Sequence, residues 1–228
     1  MKDRHKSDTI ILGTLLSLSG GFQDAYTYVL RGNVFANAQT GNVVLMSQHI
    51  MTGDFRRALH YLFPIVAFAM GILVAEQIAH FFKKLNKIYW RHIIVSLEIV
   101  VLFVVGFLPE SMNTIANIMV SFSCAMQVQA FRIVKGHSYA STMCIGNLRS
   151  GMESFSKYLR NRDRKDIIDS LYYFGIIMIF AIGAGLGGVL SARWGFKTIF
   201  ISCVILLIAN LTMIERKGLN ELKNDENI

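Results

Sequence analysis

Six apolar runs, at residues 9–30, 59–82, 93–108, 114–134, 167–190 and 198–214, constrain this chain of 228 residues more than any other feature. A run of about 20 apolar residues crosses the roughly 30 Å hydrocarbon layer of a bilayer as one helix. The rival is a soluble helical bundle, which needs a polar face on each helix; these runs are apolar nearly all round. Only 17% of the residues are charged, against about 25% in soluble domains. The predicted fold is all-α, a polytopic membrane helical bundle forming a single membrane domain over residues 1–228.

The net charge of +8 does not point to nucleic acid. Lys and Arg sit mainly between the apolar runs, as the cytoplasmic loops of a membrane protein require, and form no basic stripe with interleaved aromatics. Cys124, Cys144 and Cys203 stand apart in apolar surroundings and read as free, packed thiols. The start, MKDRHKSDTIILGTLLSLSGG, has the basic head and apolar run of a signal peptide, but the run continues through Ala25, Tyr26 and Val29. It reads as an uncleaved first helix.

Two shorter segments, 34–51 and 139–158, complicate the count. If both cross, the cluster Lys83, Lys84, Lys87 and Arg91 falls outside, against the positive-inside rule; with six crossings it falls inside, with Lys157, Arg160, Arg162, Arg164 and Lys165. Arg31, Arg56, Arg57, Arg193 and Lys197 are the exceptions. Six full spans with both termini cytoplasmic fit better. The short segments are rich in Asn, Gln, Ser, Thr and Gly, and such backbone enters a bilayer only where protein or a watery cavity covers it. They are expected to be re-entrant or half-spanning helices; the alternative is an amphipathic helix lying at the surface. The linker 154–166 is expected on the cytoplasmic leaflet, against anionic lipid, and the tail 215–228 to be loose.

The two halves resemble each other. At a separation of 104 residues, Ser17 meets Ser121, Gln23 meets Gln127, Gly32 meets Gly136, Phe35 meets Tyr139 and Ala36 meets Ala140. One residue later Gly41 and Asn42 meet Gly146 and Asn147. At 112, Leu59 and Tyr61 meet Leu171 and Tyr173, and Gly71, Ala75 and Ala79 meet Gly183, Gly187 and Ser191; Trp90 and Trp194 return to 104. Chance within a small apolar alphabet is the alternative. A real repeat, 1–110 and 111–214, holds three spans and a short helix in each copy. An odd number of crossings inverts one copy relative to the other, the construction of many secondary transporters.

The residues able to carry chemistry gather between 20 and 42. Asp24 lies well inside the first run; an acid at the bilayer centre costs about 2.5–3.5 kcal/mol and must face the bundle interior or a cavity. It can hold a proton, a cation or a polar substrate, or serve as structural partner to a buried donor. Its counterpart is Val128. Glu98 is the other buried acid, and both are candidates for proton coupling. Gln23, Tyr28, Asn37, Thr40, Gly41, Asn42, Gln127 and Asn147 complete the candidate substrate site. Thr-Gly-Asn suits a helix start or break, which favours an anion or a carbonyl oxygen, or is a plain capped turn. No zinc spacing, P-loop, dinucleotide fingerprint or nucleophile elbow occurs, so no metal, cofactor or enzyme activity is expected.

The run GGFQDAYTYVLRGNVFANAQTGNVVLM, through Gly21, Asp24, Ala25, Tyr28, Phe35, Ala36, Thr40, Gly41 and Asn42, resembles the signature of the YoaK-type family. The resemblance implies a bacterial inner-membrane protein of unknown or transport-related function, with no catalytic residues to carry over. The expected function is a small-solute transporter working by alternating access, its partners the lipid bilayer and an unidentified solute. The alternative is a non-transporting scaffold or sensor that binds lipid or a protein partner. A homo-oligomer is compatible with the small-residue faces.

Overall fold

The computed structural model describes the backbone of residues 4–82, 87–134, 137–138, 142 and 144–225. Eight α-helices lie within them: α1 (Arg4–Leu30), α2 (Gln39–Met51), α3 (Phe55–Phe81), α4 (Lys87–Val105), α5 (Asn113–Ala130), α6 (Cys144–Asn161), α7 (Arg164–Trp194) and α8 (Phe200–Asp225). A two-residue antiparallel ladder, Ile133–Val134 with His137–Ser138, is the described β-structure. The fold is all-α, as expected. Lys83, Lys84, Gly136, Tyr139 and Ala140, used in the charge and repeat comparisons, lie outside the described residues.

Among the described residues, two stretches have the length and composition of a bilayer crossing: Phe55–Phe81 and Arg164–Met213, each with a mean hydropathy of 2.1. The second is α7 and α8 together, joined by a 3-10 turn, Gly195–Ile199, in which Gly195 takes the left-handed φ of 69°. The run 9–30 reads as less apolar for a visible reason: α1 carries Ser17, Ser19, Gln23, Asp24 and Thr27, all buried in protein.

Small residues set the helix packing. A Cβ on Gly183 would collide with the Leu18 carbonyl, and one on Gly187 with that of Phe22, so α7 runs parallel to α1 at backbone contact. A Cβ on Gly71 would collide with the Phe122 carbonyl, and α3 runs parallel to α5 in the same way. Such contact is how helices associate in lipid without a hydrophobic driving force between them. α4 runs with α1, antiparallel to α8: His92 Nδ1 and Asn210 Oδ1 lie 2.6 Å apart, and Asn210 donates to Ser96 at 2.9 Å. α2 packs on α3, and α6 on α7. α4 also packs on α5, and α8 on α1.

One end of the bundle is tied by Arg31, which is fully buried. Its guanidinium donates to the Val105 carbonyl at 2.9 Å, the Leu108 carbonyl at 3.0 Å, Asn113 Oδ1 at 3.1 Å and the Tyr26 hydroxyl at 2.9 Å. It thereby adds a donor to the last carbonyl of α4 and meets that of Leu108 in the turn that follows. This charge, counted above among the exceptions to the positive-inside pattern, is a packing element rather than a loop charge. A second expectation is corrected at the other end: α8 is helical to Asp225, through most of the tail expected to be loose.

Candidate functional site

α1 brings polar side chains inward at helical spacing. Ser19 and Gln23 share a face one turn apart, and Gln23 Nε2 donates to Ser19 Oγ at 2.9 Å. The same amide nitrogen donates to Glu98 Oε1 of α4 at 3.1 Å. Glu98 Oε2 accepts from Gln127 Nε2 of α5 at 2.9 Å. The Cys124 thiol, one turn before Gln127, donates to Gln23 Oε1 at 2.7 Å. Gln23 and Glu98 are fully buried and Gln127 and Cys124 nearly so. Among the described residues no Lys, Arg or His forms an ion pair with Glu98 or Asp24.

Asp24 faces a different partner. Its Oδ1 accepts from the backbone N–H of Asn37 at 2.6 Å, and the N–H groups of Ala36 and Ala38 lie against the same carboxyl. Ala38, which precedes α2, offers no side-chain cap. The acid of α1 thus holds the turn that leads into α2 rather than its first helical N–H groups, of which that of Gly41 donates to the Ala38 carbonyl at 2.9 Å. It is 5% exposed and closed in.

Thr40, Gly41 and Asn42 are in the first turn of α2 rather than in a loop turn. Asn42 grips the backbone of Phe35, accepting from its N–H at 3.0 Å and donating to its carbonyl at 2.7 Å. A Cβ on Gly41 would lie 3.0 Å from the Phe35 ring. Tyr28 stacks on the other side of Phe35, with centroids 4.7 Å apart. Tyr28 and Thr40 are exposed and stand outside the buried cluster, while Asn37, Asn42 and Asn147 are buried. Gln129 bonds Glu76 at the surface.

The lead-ins to both short helices reach α1 at one place. Gly20 has room for them because it lacks a side chain: a Cβ there would collide with the methyl of Thr142, just before α6, and would lie 3.8 Å from the Asn37 amide, just before α2. Cys144, the first residue of α6, is near enough for the Asp24 charge to act on it. Two clefts open elsewhere. One of about 610 Å³ lies at the Arg31 end, lined by Asp54, Arg57, His60 and Thr114. The other, about 290 Å³, lies at the opposite end, lined by Glu153, Lys157, Lys165, Asp166 and Tyr173.

Residues 12–212 match the family described as Protein of unknown function (DUF1275). The chain belongs to that family. The UPF0700 transmembrane protein YoaK of Bacillus subtilis (strain 168) is 25% identical over 219 residues, covering 91% of this chain and 94% of the relative. No solved structure matches the chain. The resemblance read from the residues between Gly21 and Asn42 holds, and the chain is a membrane protein of a family of unknown function.

Sequence reasoning placed Gln23 and Gln127 in one site but did not bring Glu98 to them. It missed Ser19 and Cys124 as members of the cluster, although Ser19-Gln23 and Cys124-Gln127 fall at helix-face spacings. The donors to Asp24 left no sequence signal, because they are main-chain groups.

Proposed function

We propose that the chain is a small-solute transporter or permease of the bacterial cell membrane, with six spans and two half-spanning helices in two inverted halves, working by alternating access. The observation that carries this reading is how the packing behaves when the halves are exchanged. α1 against α7 becomes α5 against α3, α2 against α3 becomes α6 against α7, and α4 against α5 becomes α8 against α1. The Leu18–Gly183 contact becomes Phe122–Gly71, at the separations of 104 and 112 found in the sequence. In the first half α1 and α4 point one way and α3 the other; in the second α7 points with α1, and α5 and α8 oppose it. Such halves rock about the line between them, where discontinuous helices and polar groups gather.

Gln23, Asn37 and Gln127 stand on that line, with Asn42 and Asn147 beside the half-helix starts. The two clefts are the facing vestibules, and the sealed cluster between them corresponds to an occluded state. Both termini belong to the end holding Lys157, Arg160, Arg164 and Lys165, which the positive-inside rule makes cytoplasmic. No enzyme chemistry enters this reading.

Proteoliposomes carrying the protein and loaded with a panel of amino acids, sugars, organic acids and nucleobases test it. Uptake of one class above empty vesicles, abolished by Gln23→Leu, is the expected result; no uptake across the panel overturns it. The second reading, a scaffold or sensor, is favoured by the closed packing around Asp24, whose carboxyl is already occupied by backbone donors.

A further inference from the structure

Glu98 is the buried acid whose partners come from both halves. Gln23 of α1 and Gln127 of α5, equivalent at a separation of 104, each donate to one of its oxygens, at 3.1 and 2.9 Å. We infer that Glu98 is a proton-binding site that rejects metal cations, and that its protonation loosens the bridge between α4 and α5.

The rejection follows from the donor set. Sodium, potassium or calcium needs oxygen lone pairs converging on one point. Here both carboxylate oxygens are met by N–H hydrogens, which repel a cation placed among them. Turning Gln23 to present its oxygen would break the bonds to Ser19 at 2.9 Å and from Cys124 at 2.7 Å. A proton needs no such shell. Once bound, it turns one oxygen of Glu98 into a donor that faces another donor, so one bond must yield. Gln23 is held by three side-chain bonds, Gln127 by one among the described residues. The bond to Gln127 gives way.

Other ionisable groups around Glu98 are few. The Cys124 thiol of α5 and the Cys203 thiol of α8 face it. α1 carries Asp24 one residue beyond Gln23, turned to the 36–38 backbone. Among the described residues, α3 and the 195–199 turn supply no group that acts on it. At a separation of 104 its counterpart is Ser202, whose buried hydroxyl has no hydrogen-bond partner among the described residues, so one acid serves both halves.

The role in coupling rests on the transporter reading; the proton site does not. Infrared difference spectra of the full chain in nanodiscs, titrated from alkaline to acid pH, test the site. A protonated-carboxyl C=O band should appear reversibly, survive in Asp24→Asn, vanish in Glu98→Gln, and stay unchanged when sodium or potassium chloride is added. Hydrogen exchange across residues 113–130 should rise in acid in the native protein, after correction for intrinsic rates, and stay flat in Glu98→Gln. Glu98→Asp should restore a titrating band, which separates loss of the acid from loss of the fold. A band that persists in Glu98→Gln, or that sodium or potassium abolishes, overturns the inference. A titrating band without solute uptake leaves it standing and defeats the transporter reading instead.

Discussion

The two acids in the middle of the bundle differ in what holds them. Asp24 on α1 binds main-chain N–H groups of residues 36–38, all within the first half. Glu98 on α4 binds two side-chain amides, one from each half. Backbone donors cannot rotate, so the Asp24 contact fixes the path of the segment entering α2. Carboxamides can turn, so the Glu98 contact can be remade. A carboxyl anchored to backbone serves architecture, and one suspended between side chains of two bodies can respond.

Several substitutions press on this contrast, and the largest effect is expected where a charge is tied to backbone most heavily. Arg31→Leu takes away the donor that the Leu108 carbonyl and Asn113 Oδ1 share and one of the partners of the Val105 carbonyl and the Tyr26 hydroxyl, a loss of about 3–5 kcal/mol at about 1–3 kcal/mol for each buried polar group left unpaired. Thermal unfolding in detergent reads it as a large drop in midpoint. Asp24→Val frees the 36–38 N–H groups and is expected to cost about 2–3 kcal/mol by the same reasoning; Asp24→Asn, which keeps one acceptor oxygen, should cost less. A neutral Asp24→Val would break the contrast outright. Glu98→Gln keeps the shape of the side chain but turns one of its two acceptor oxygens into a donor that faces a glutamine N–H; it is expected to cost about 1–2 kcal/mol in the same assay, while removing the acid response. Cys124→Ser keeps a donor to Gln23 Oε1 and should have the smallest effect, within about 0.5 kcal/mol by that assay.

The contrast also marks how far the sequence could be read. The helices and the two buried acids were legible, because apolar runs and a lone acid in an apolar stretch are local patterns. Asp24 ranked first among the candidates for its place in the chain, but its role depends on which way the chain bends back after Leu30, and main-chain N–H groups carry no residue signature. Arg31 misled for a related reason: an Arg at a helix end looks the same whether it reaches solvent or turns in to collect carbonyls.

The central claim is that the two halves are inverted across the bilayer, and the starts of α3 and α7 test it most directly. Arg57, near the start of α3, and Arg164, at the start of α7, lie at opposite ends of the bundle. With Cys124→Ser, Cys144→Ala and Cys203→Ala as background, Arg57→Cys and Arg164→Cys would each be labelled in intact cells with a membrane-impermeant maleimide. Labelling of Arg57→Cys from outside, with Arg164→Cys labelled only after the membrane is opened, is the result the account predicts. Labelling of both from the same side would contradict it.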